Sequence, residues 1–432
     1  MTLFGYLWLV IVICCFLRKD MKYMAFITLL FMCFQSANVL YFNDRGVGPQ
    51  ILTSIMFIAR SVLSHGTIIR IAKDRKKNYV DIFLLLLLGV VLYSSVKNDV
   101  LEERTLAVIQ LIVYVVCFIC MERTLKGMGE ADIYSMIRGI TIIILTIGAL
   151  QWLTAMKILN LRDILKVLVY NDNGSSVAFN SQIKRLYSTF MEPSYFAGFV
   201  VGAFYYFFSI STKWKENIIL MCGLFIELLL SKSSAAFGAF LVVGIVFVAV
   251  SRNIDFQWKI AIIACGVMGF LFLYFGFYEL LDSVIFSKAD TGSYRTRLAM
   301  NNRAMRAFQA SPWYGTGYKS VRGSSIVNTL LGQLGMSGLA LYLIVNIKIF
   351  AAVLMKKQRT FCSVLYDGAR FGLLSAVACQ VIACPDVDLC TYWFWMYAVA
   401  AHFAVSGKES IARKTGEVVA DERWNYKAQS FY

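Results

Sequence analysis

Apolar runs recur along the whole chain, separated by short polar stretches. Their lengths approach the roughly 20 residues that carry a helix across a bilayer. They predict spans near 2–17, 23–42, 51–72, 79–96, 106–121, 139–156, 194–212, 217–231, 235–250, 260–278, 326–350, 365–384 and 392–406. That is about thirteen crossings, and the fold class it predicts is all-α: a polytopic transmembrane helical protein forming a single integral membrane domain over 1–432. The first run, Leu3–Leu17, is followed by RKDMK and no small-residue cleavage site, so it reads as a span and not as a cleaved signal.

Two polar stretches, 157–193 and 279–325, are too long to be turns. Loops of that length in compact proteins are usually functional. In the first, Leu161, Ile164, Leu165 and Leu168 fall at helical spacing opposite Arg162, Asp163 and Lys166, which predicts a helix over 158–169 lying in the membrane interface. In the second, RTRLAMNNRAMRAFQA (295–310) predicts a helix that stops at Ser311–Pro312. At 3.6 residues per turn, Arg295, Asn302, Arg303 and Arg306 share one face, and Leu298, Asn301, Ala304, Met305 and Phe308 share the other. Arg297 falls with the apolar group. A guanidinium cannot shed its proton and is costly to bury without an anion, so Arg297 is expected to point inward towards a partner.

Composition agrees with a membrane protein: of 432 residues, 59% are hydrophobic and only 16% charged. The net charge of +16 would suggest nucleic acid in a soluble protein. Here the basic loops RKDMK, KDRKKN, KWKEN and KKQR alternate with NDRGVGPQ and the acidic KNDVLEER, which is the positive-inside pattern. It predicts an outside N-terminus, a cytoplasmic tail over 407–432 and both long loops outside; no nucleic-acid partner is expected. The eleven cysteines lie mostly within spans, where they pack as small apolar groups. CFIC has no second pair or histidine beside it to make a zinc site, and neither a metal nor a cofactor is expected. Cys384 and Cys390 flank a short outer turn and are candidates to pair in an oxidising compartment.

Candidate chemistry collects at the outer ends of spans. Three of the four prolines stand there, in EPS, SPW and CPD. Beside them lie Glu192, Tyr195, the pair Asp386 and Asp388, and the glycine-rich stretch with Gly315, Gly317, Tyr318 and Lys319. A fourth junction, LLLSKSSAAFG, adds Ser231, Lys232 and Ser233. Four such ends can converge on one polar cavity, and ionisable groups near membrane depth point to function by default.

RLYSTFMEPSYFAG resembles the R-x-x-G/S-T-F-x-E-P-S pattern that precedes a span in bacterial O-antigen and capsular polysaccharide polymerases of the Wzy type. RLAMNNRAMRAFQASPWYGTGY is similar to their second signature, an arginine-led helix running into P-x-x-G-x-G, and SKSSAAFGAF to the span between them. The resemblance implies a glycosyltransferase of the bacterial inner membrane, acting on its outer face. A growing glycan on polyprenyl diphosphate is moved to a lipid-diphosphate-linked repeat unit, by single displacement with inversion. It also implies diphosphate binding by Arg185 and Arg297, and by Arg306, which stands eleven residues before Gly317 as an R-x10-G pattern requires; eleven residues after Arg185 stands Phe196. The implied partners are lipid-linked oligosaccharides and membrane lipids; whether a chain-length regulator protein joins them is left open.

Such a transfer needs an anion grip and a base. Arginine forks suit the diphosphate, and Glu192 with Arg185, or the competing pair Asp386 and Asp388, supplies the carboxylate. Arg295, Arg306, Lys319, Lys232, Tyr195, Tyr318 and Gly317 are the candidate binding residues around them. For Glu192 a plain helix-terminal charge paired with Arg185 is the alternative role. The related O-antigen ligases usually carry an outer histidine, whereas His65 and His402 both fall within predicted spans. A lipid-linked oligosaccharide flippase would spread its cations through the spans. Here Arg60, Arg70, Lys348 and Arg370 are the main intramembrane cations, and the rest sit in loops.

Overall fold

A computed structural model describes residues 1–42, 45–65, 80–125, 128–169, 185–210, 214–250, 257, 259–260, 292–355 and 361–415. Among them are fourteen helices and one small hairpin, an all-α architecture. In chain order they are α1 (Leu3–Leu17), α2 (Met21–Met32), β1 (Leu40–Phe42), β2 (Arg45–Val47), α3 (Pro49–His65), α4 (Val80–Lys97), α5 (Leu101–Thr124), α6 (Glu130–Ala155), α7 (Arg162–Val169), α8 (Pro193–Ser209), α9 (Trp214–Ser231), α10 (Ser234–Val250), α11 (Gly292–Ala310), α12 (Ile326–Met355), α13 (Phe361–Ile382) and α14 (Cys390–Thr415). The strands pair antiparallel with Leu40 opposite Val47.

Among the described residues, four helices are long and apolar enough to cross a membrane: α4, α5, α6 and, over Ile326–Ala351, α12. Three shorter apolar helices, α1, α2 and α10, accompany them. The chain is therefore membrane-embedded, and its exposed leucines and isoleucines are lipid-facing surface rather than errors of folding. Residues 261–278 of the span expected at 260–278 lie outside the described residues, as do Arg70, residues 170–184 of the first long loop and the start of the second.

One expected span is corrected. The run 23–42 is helical only as far as Met32, which at about 1.5 Å per residue gives a rod well short of a bilayer's hydrocarbon core. The polar residues after it bind elsewhere. Gln35 and Ser36 donate their backbone N–H groups to the Thr189 carbonyl at 3.0 and 3.1 Å, and Ser36 Oγ donates to the same carbonyl at 2.7 Å. Thr189 Oγ1 returns a bond to the Cys33 carbonyl at 2.6 Å. Within the expected tail over 407–432, α14 continues as helix to Thr415.

The helix at the centre is α8, which packs against α13, α9, α10 and α14. Phe190, Phe199, Phe394 and Trp395 interlock along it, with Phe190–Phe199 centroids 5.6 Å apart and Phe199–Phe394 5.2 Å apart. Helix α12 is broken at Gly335, whose φ of 65° and ψ of −161° no helix contains. At the break the Pro312 carbonyl accepts from Met336 N at 2.8 Å and the Trp313 carbonyl from Ser337 N at 3.2 Å. A β-carbon at Gly335 would run into that same Trp313 backbone. The break thus gives the loop after α11 a seat in the helix layer.

The intramembrane ions have local roles. Arg370 is buried, pairs with Asp367 at 2.8 Å and lies over the Tyr366 ring at 3.5 Å. Arg60 Nη2 donates to the Arg18 carbonyl at 3.1 Å, beyond the end of α1. His402 is buried in α14 between the Tyr206 and Tyr366 rings. The side chain of His65 is outside the described residues.

Candidate active site

The STF segment before α8 acts as a strap. Ser188 takes φ of 49°, a left-handed conformation that costs a non-glycine residue, and two bonds hold it there. Its N–H donates to Gln151 Oε1 at 2.8 Å and its hydroxyl to the Ile144 carbonyl at 2.8 Å, both on α6. Thr189 is tied to Cys33 as above, and Leu186 N donates to the Leu230 carbonyl at 3.1 Å. The strap fixes the two charged residues at its ends, Arg185 and Glu192.

Arg185 is half-buried. Its Nε donates to the Ser231 carbonyl at 3.3 Å and its Nη2 to the Lys232 carbonyl at 3.2 Å, capping the C-terminus of α9 where the helix dipole favours a cation. Burial is the main influence lowering its pKa; Glu192 supports its charge and Arg297 opposes it, so all three lie within electrostatic reach. Glu192 is the N-cap of α8 but does not cap with its side chain. Its backbone carbonyl accepts from Tyr195 and Phe196, and its exposed carboxylate accepts only from Ser194 Oγ, at 3.2 Å, among the described residues. The expected simple Glu192–Arg185 ion pair is therefore absent among them.

Around Tyr195, in the first turn of α8, five groups from three segments form one cluster. Lys319 Nζ lies 2.9 Å from Asp386 Oδ1 and 2.6 Å from Asp388 Oδ1. Arg322 Nη2 donates to Asp386 Oδ2 at 2.8 Å and to the Tyr195 hydroxyl at 2.9 Å. The Tyr195 hydroxyl donates in turn to Asp386 Oδ2 at 3.4 Å. Glu192 stands within electrostatic reach of both Tyr195 and Arg322.

The turn that carries the two aspartates is held from behind. Gln380 Nε2 donates to the Asp386 carbonyl at 2.7 Å and is itself oriented by the Tyr342 hydroxyl at 2.7 Å; Trp393 Nε1 donates to the Val387 carbonyl at 3.0 Å. The glycine-rich loop is as firmly seated. Gly317, at φ of 106°, and Thr316 donate their N–H groups to the Gln333 and Gly332 carbonyls at 3.0 Å each. Tyr318 is buried, with its N–H on Ser95 Oγ at 3.2 Å. Lys319 pays for its position with φ of 60°.

These contacts decide the charge states. Burial favours a neutral acid at Asp386, but Lys319 and Arg322 outweigh it and hold the carboxylate below its usual range. Burial likewise works against the charge on Lys319, and Asp388 with Asp386 overcomes it, keeping the ammonium protonated above its ordinary range. Two cations and two anions thus balance one another. Both Arg322 bonds run through Nη2, so much of its fork, on a half-exposed side chain, faces outward.

Several sequence expectations change here. Arg297 is exposed, not buried. Helix α11 packs through its C-terminal half, where Ala304 is buried and Asn301 Oδ1 accepts from Ser324 N at 2.8 Å, while residues 295–299 all lie open. Arg297 stands one turn before Asn301 on the same stripe, but the packing that buries Ala304 does not reach it. Met305, assigned to the inner face, is also exposed. Arg295 and Arg306 are exposed and join no contact of the cluster among the described residues, and Lys232 is exposed at φ of 47°. Asp386 and Asp388, expected as alternative bases, are neutralised partners of Lys319 and Arg322. Cys384 and Cys390 are both buried free thiols. Arg322 joins the cluster without a strong local signal in the sequence: it stands three residues after Lys319, just before Gly323.

No protein-family model matches the chain, and no curated protein matches it.

Proposed function

We propose that the chain is a polysaccharide polymerase of the bacterial inner membrane, resembling the Wzy-type enzymes, which moves a growing glycan from polyprenyl diphosphate to a lipid-diphosphate-linked repeat unit. One observation carries the reading: the first segment quoted for that resemblance, through Tyr195, and Lys319 and Arg322, which directly follow the second, meet the aspartate turn beside the Glu192 carboxylate. In this reading the shorter apolar helices also cross the bilayer, α2 together with the buried non-helical residues that follow it, for about thirteen spans, with the N-terminus outside and the C-terminus in the cytoplasm.

Glu192 is the general base. It takes the proton of the acceptor hydroxyl, whose oxygen attacks the anomeric carbon of the donor. The carbon–oxygen bond to the diphosphate breaks, and the diphosphate leaves with the electron pair. Arg322, Arg185 and Arg297 face the charge that develops on it, and such pre-aimed charge is often the largest catalytic contribution. Asp386 and Asp388 serve as positioning residues, holding Arg322 and Lys319. Arg295, Arg306 and Lys232 raise the local concentration of an anionic substrate.

The test is incubation of purified protein with lipid-diphosphate oligosaccharide, followed by gel separation of products. A ladder of lengthening chains supports polymerisation. Transfer of finished glycan only to a different lipid acceptor would make the chain a ligase, and movement of substrate across liposomes without chain growth would make it a flippase.

A further inference from the structure

Helices α4 and α12 pack side by side, and each turns an apolar stripe outward: Leu85, Leu86, Leu92 and Val96 on one, Leu343 and Ile347 on the other. The stripe on α4 ends in a different chemistry. Tyr93 and Lys97, one helical turn apart, meet Tyr314 from the loop after α11. The two tyrosine rings lie 4.9 Å apart at 67°, and Lys97 Nζ stands 5.9 Å from one centroid and 5.6 Å from the other. Beside them Trp313 is 69% exposed.

These rings are not exposed because their loop is loose. The carbonyls of Pro312, Trp313 and Tyr314 accept from Met336 N at 2.8 Å, Ser337 Oγ at 2.6 Å and Ser94 Oγ at 2.5 Å. Three consecutive backbone groups are thus fixed to α12 and α4, while Trp313 stands exposed and Tyr314 rests against Tyr93. Rings with an apolar body and a polar edge prefer the boundary between hydrocarbon and headgroups, and a lysine there reaches phosphate.

We infer that Trp313, Tyr314, Tyr93 and Lys97 form an interfacial anchor that seats this end of the helix pair in the phospholipid headgroup layer. The occupant is bulk phospholipid, because the rings continue the lipid-facing stripe of α4. A sugar-stacking platform would open towards Lys319 and Tyr195. The opposite edge of α4, with buried Ser94 and Ser95, is the one that faces the glycine-rich loop. Since Gly315, Gly317 and Lys319 follow within a few residues on the same pinned backbone, the anchor sets their height above the hydrocarbon. The inference does not depend on the polymerase reading.

The experiment reads Trp313 directly. Wild-type protein and Trp313→Phe are placed in nanodiscs of phosphatidylglycerol and phosphatidylcholine, and the difference of their tryptophan emissions isolates Trp313. Trp313→Tyr provides the same subtraction if the phenylalanine variant does not fold. Lipid spin-labelled at the headgroup should quench the difference emission by about half or more, with weaker quenching by label at the acyl terminus or by aqueous iodide. Strong iodide quenching without headgroup quenching would place Trp313 in water and overturn the anchor. Shielding of the difference emission on adding lipid-free oligosaccharide would also overturn it, in favour of a glycan subsite.

Discussion

A carboxylate already sharing its charge with two cations is a poor proton acceptor, and Asp386 is in that position between Lys319 and Arg322. Glu192, exposed at the mouth of α8 with only Ser194 Oγ on it among the described residues, is not. The two should therefore fail differently. Glu192→Gln should lower transfer by about 10²-fold or more with an unchanged thermal midpoint, as for loss of a general base. Asp386→Asn should lower the midpoint as well, because it leaves Arg322 without its carboxylate. Equal midpoint losses in both variants, read by thermal denaturation beside the gel assay, would remove the distinction. Sequence alone marked both acids as candidates, because each stands at an outer junction beside a proline. What separates them is a pair of cations some seventy residues upstream of Asp386, and local spacing carries no trace of that pairing. Arg322 was hidden for the same reason.

At the scale of elements, the cluster ties the glycine-rich loop to the turn between α13 and α14, and its strength follows pH in a determinate way. Asp386 has a depressed pKa, so its contribution is present above its unfolded value of about 3.9 and is lost as pH falls through the lower folded value. Lys319 has a raised pKa, so its contribution is full below about 10.4 and is lost as pH rises through the higher folded value. Thermal midpoints attributable to this tie, taken as wild type minus Lys319→Met, should be flat between about pH 5 and 9 and shrink towards both extremes. A steep change near neutrality would contradict the ion-pair assignment. The break in α12 gives a second expectation. Gly335→Ala should destabilise by about 1–3 kcal/mol from its φ alone, with further loss from collision with the Trp313 backbone. Gly89→Ala, in open space on the exposed face of α4, should be tolerated in the same melt. Periodicity predicted the helices here well. It misread 23–42, where polar Gln35 and Ser36 end the helix by bonding a carbonyl more than 150 residues away.

For the whole molecule, the positive-inside pattern and the proposed outer-face chemistry make one joint demand. Cysteines introduced at Asn173 and Thr291 should react with an impermeant thiol reagent on intact cells or spheroplasts, and one at Lys76 should not. Labelling at Lys76 alone would invert the molecule and put the Glu192 mouth in the cytoplasm. The class of fold was legible because lipid demands long apolar helices, a requirement met locally. The site was only half legible, since its residues come from ends that the helix layer brings together.

The strap at 186–190 also bears on how the protein is made. Its partners include Cys33 and Ser36 near the start of the chain, and Tyr195 just beyond it offers its backbone carbonyl to Thr391 Oγ1 at 3.1 Å, near the end. The ribosome releases these pieces in sequence, so α2 waits with the Cys33 carbonyl unpaired until the strap emerges, and the strap waits for α14. During insertion the early helices must be sheltered, by translocon or insertase, from lipid that cannot satisfy those groups. A chain terminated before Cys390 should accordingly be degraded as an unfinished product, since it lacks the Thr391 hydroxyl that holds the Tyr195 carbonyl at the mouth of α8.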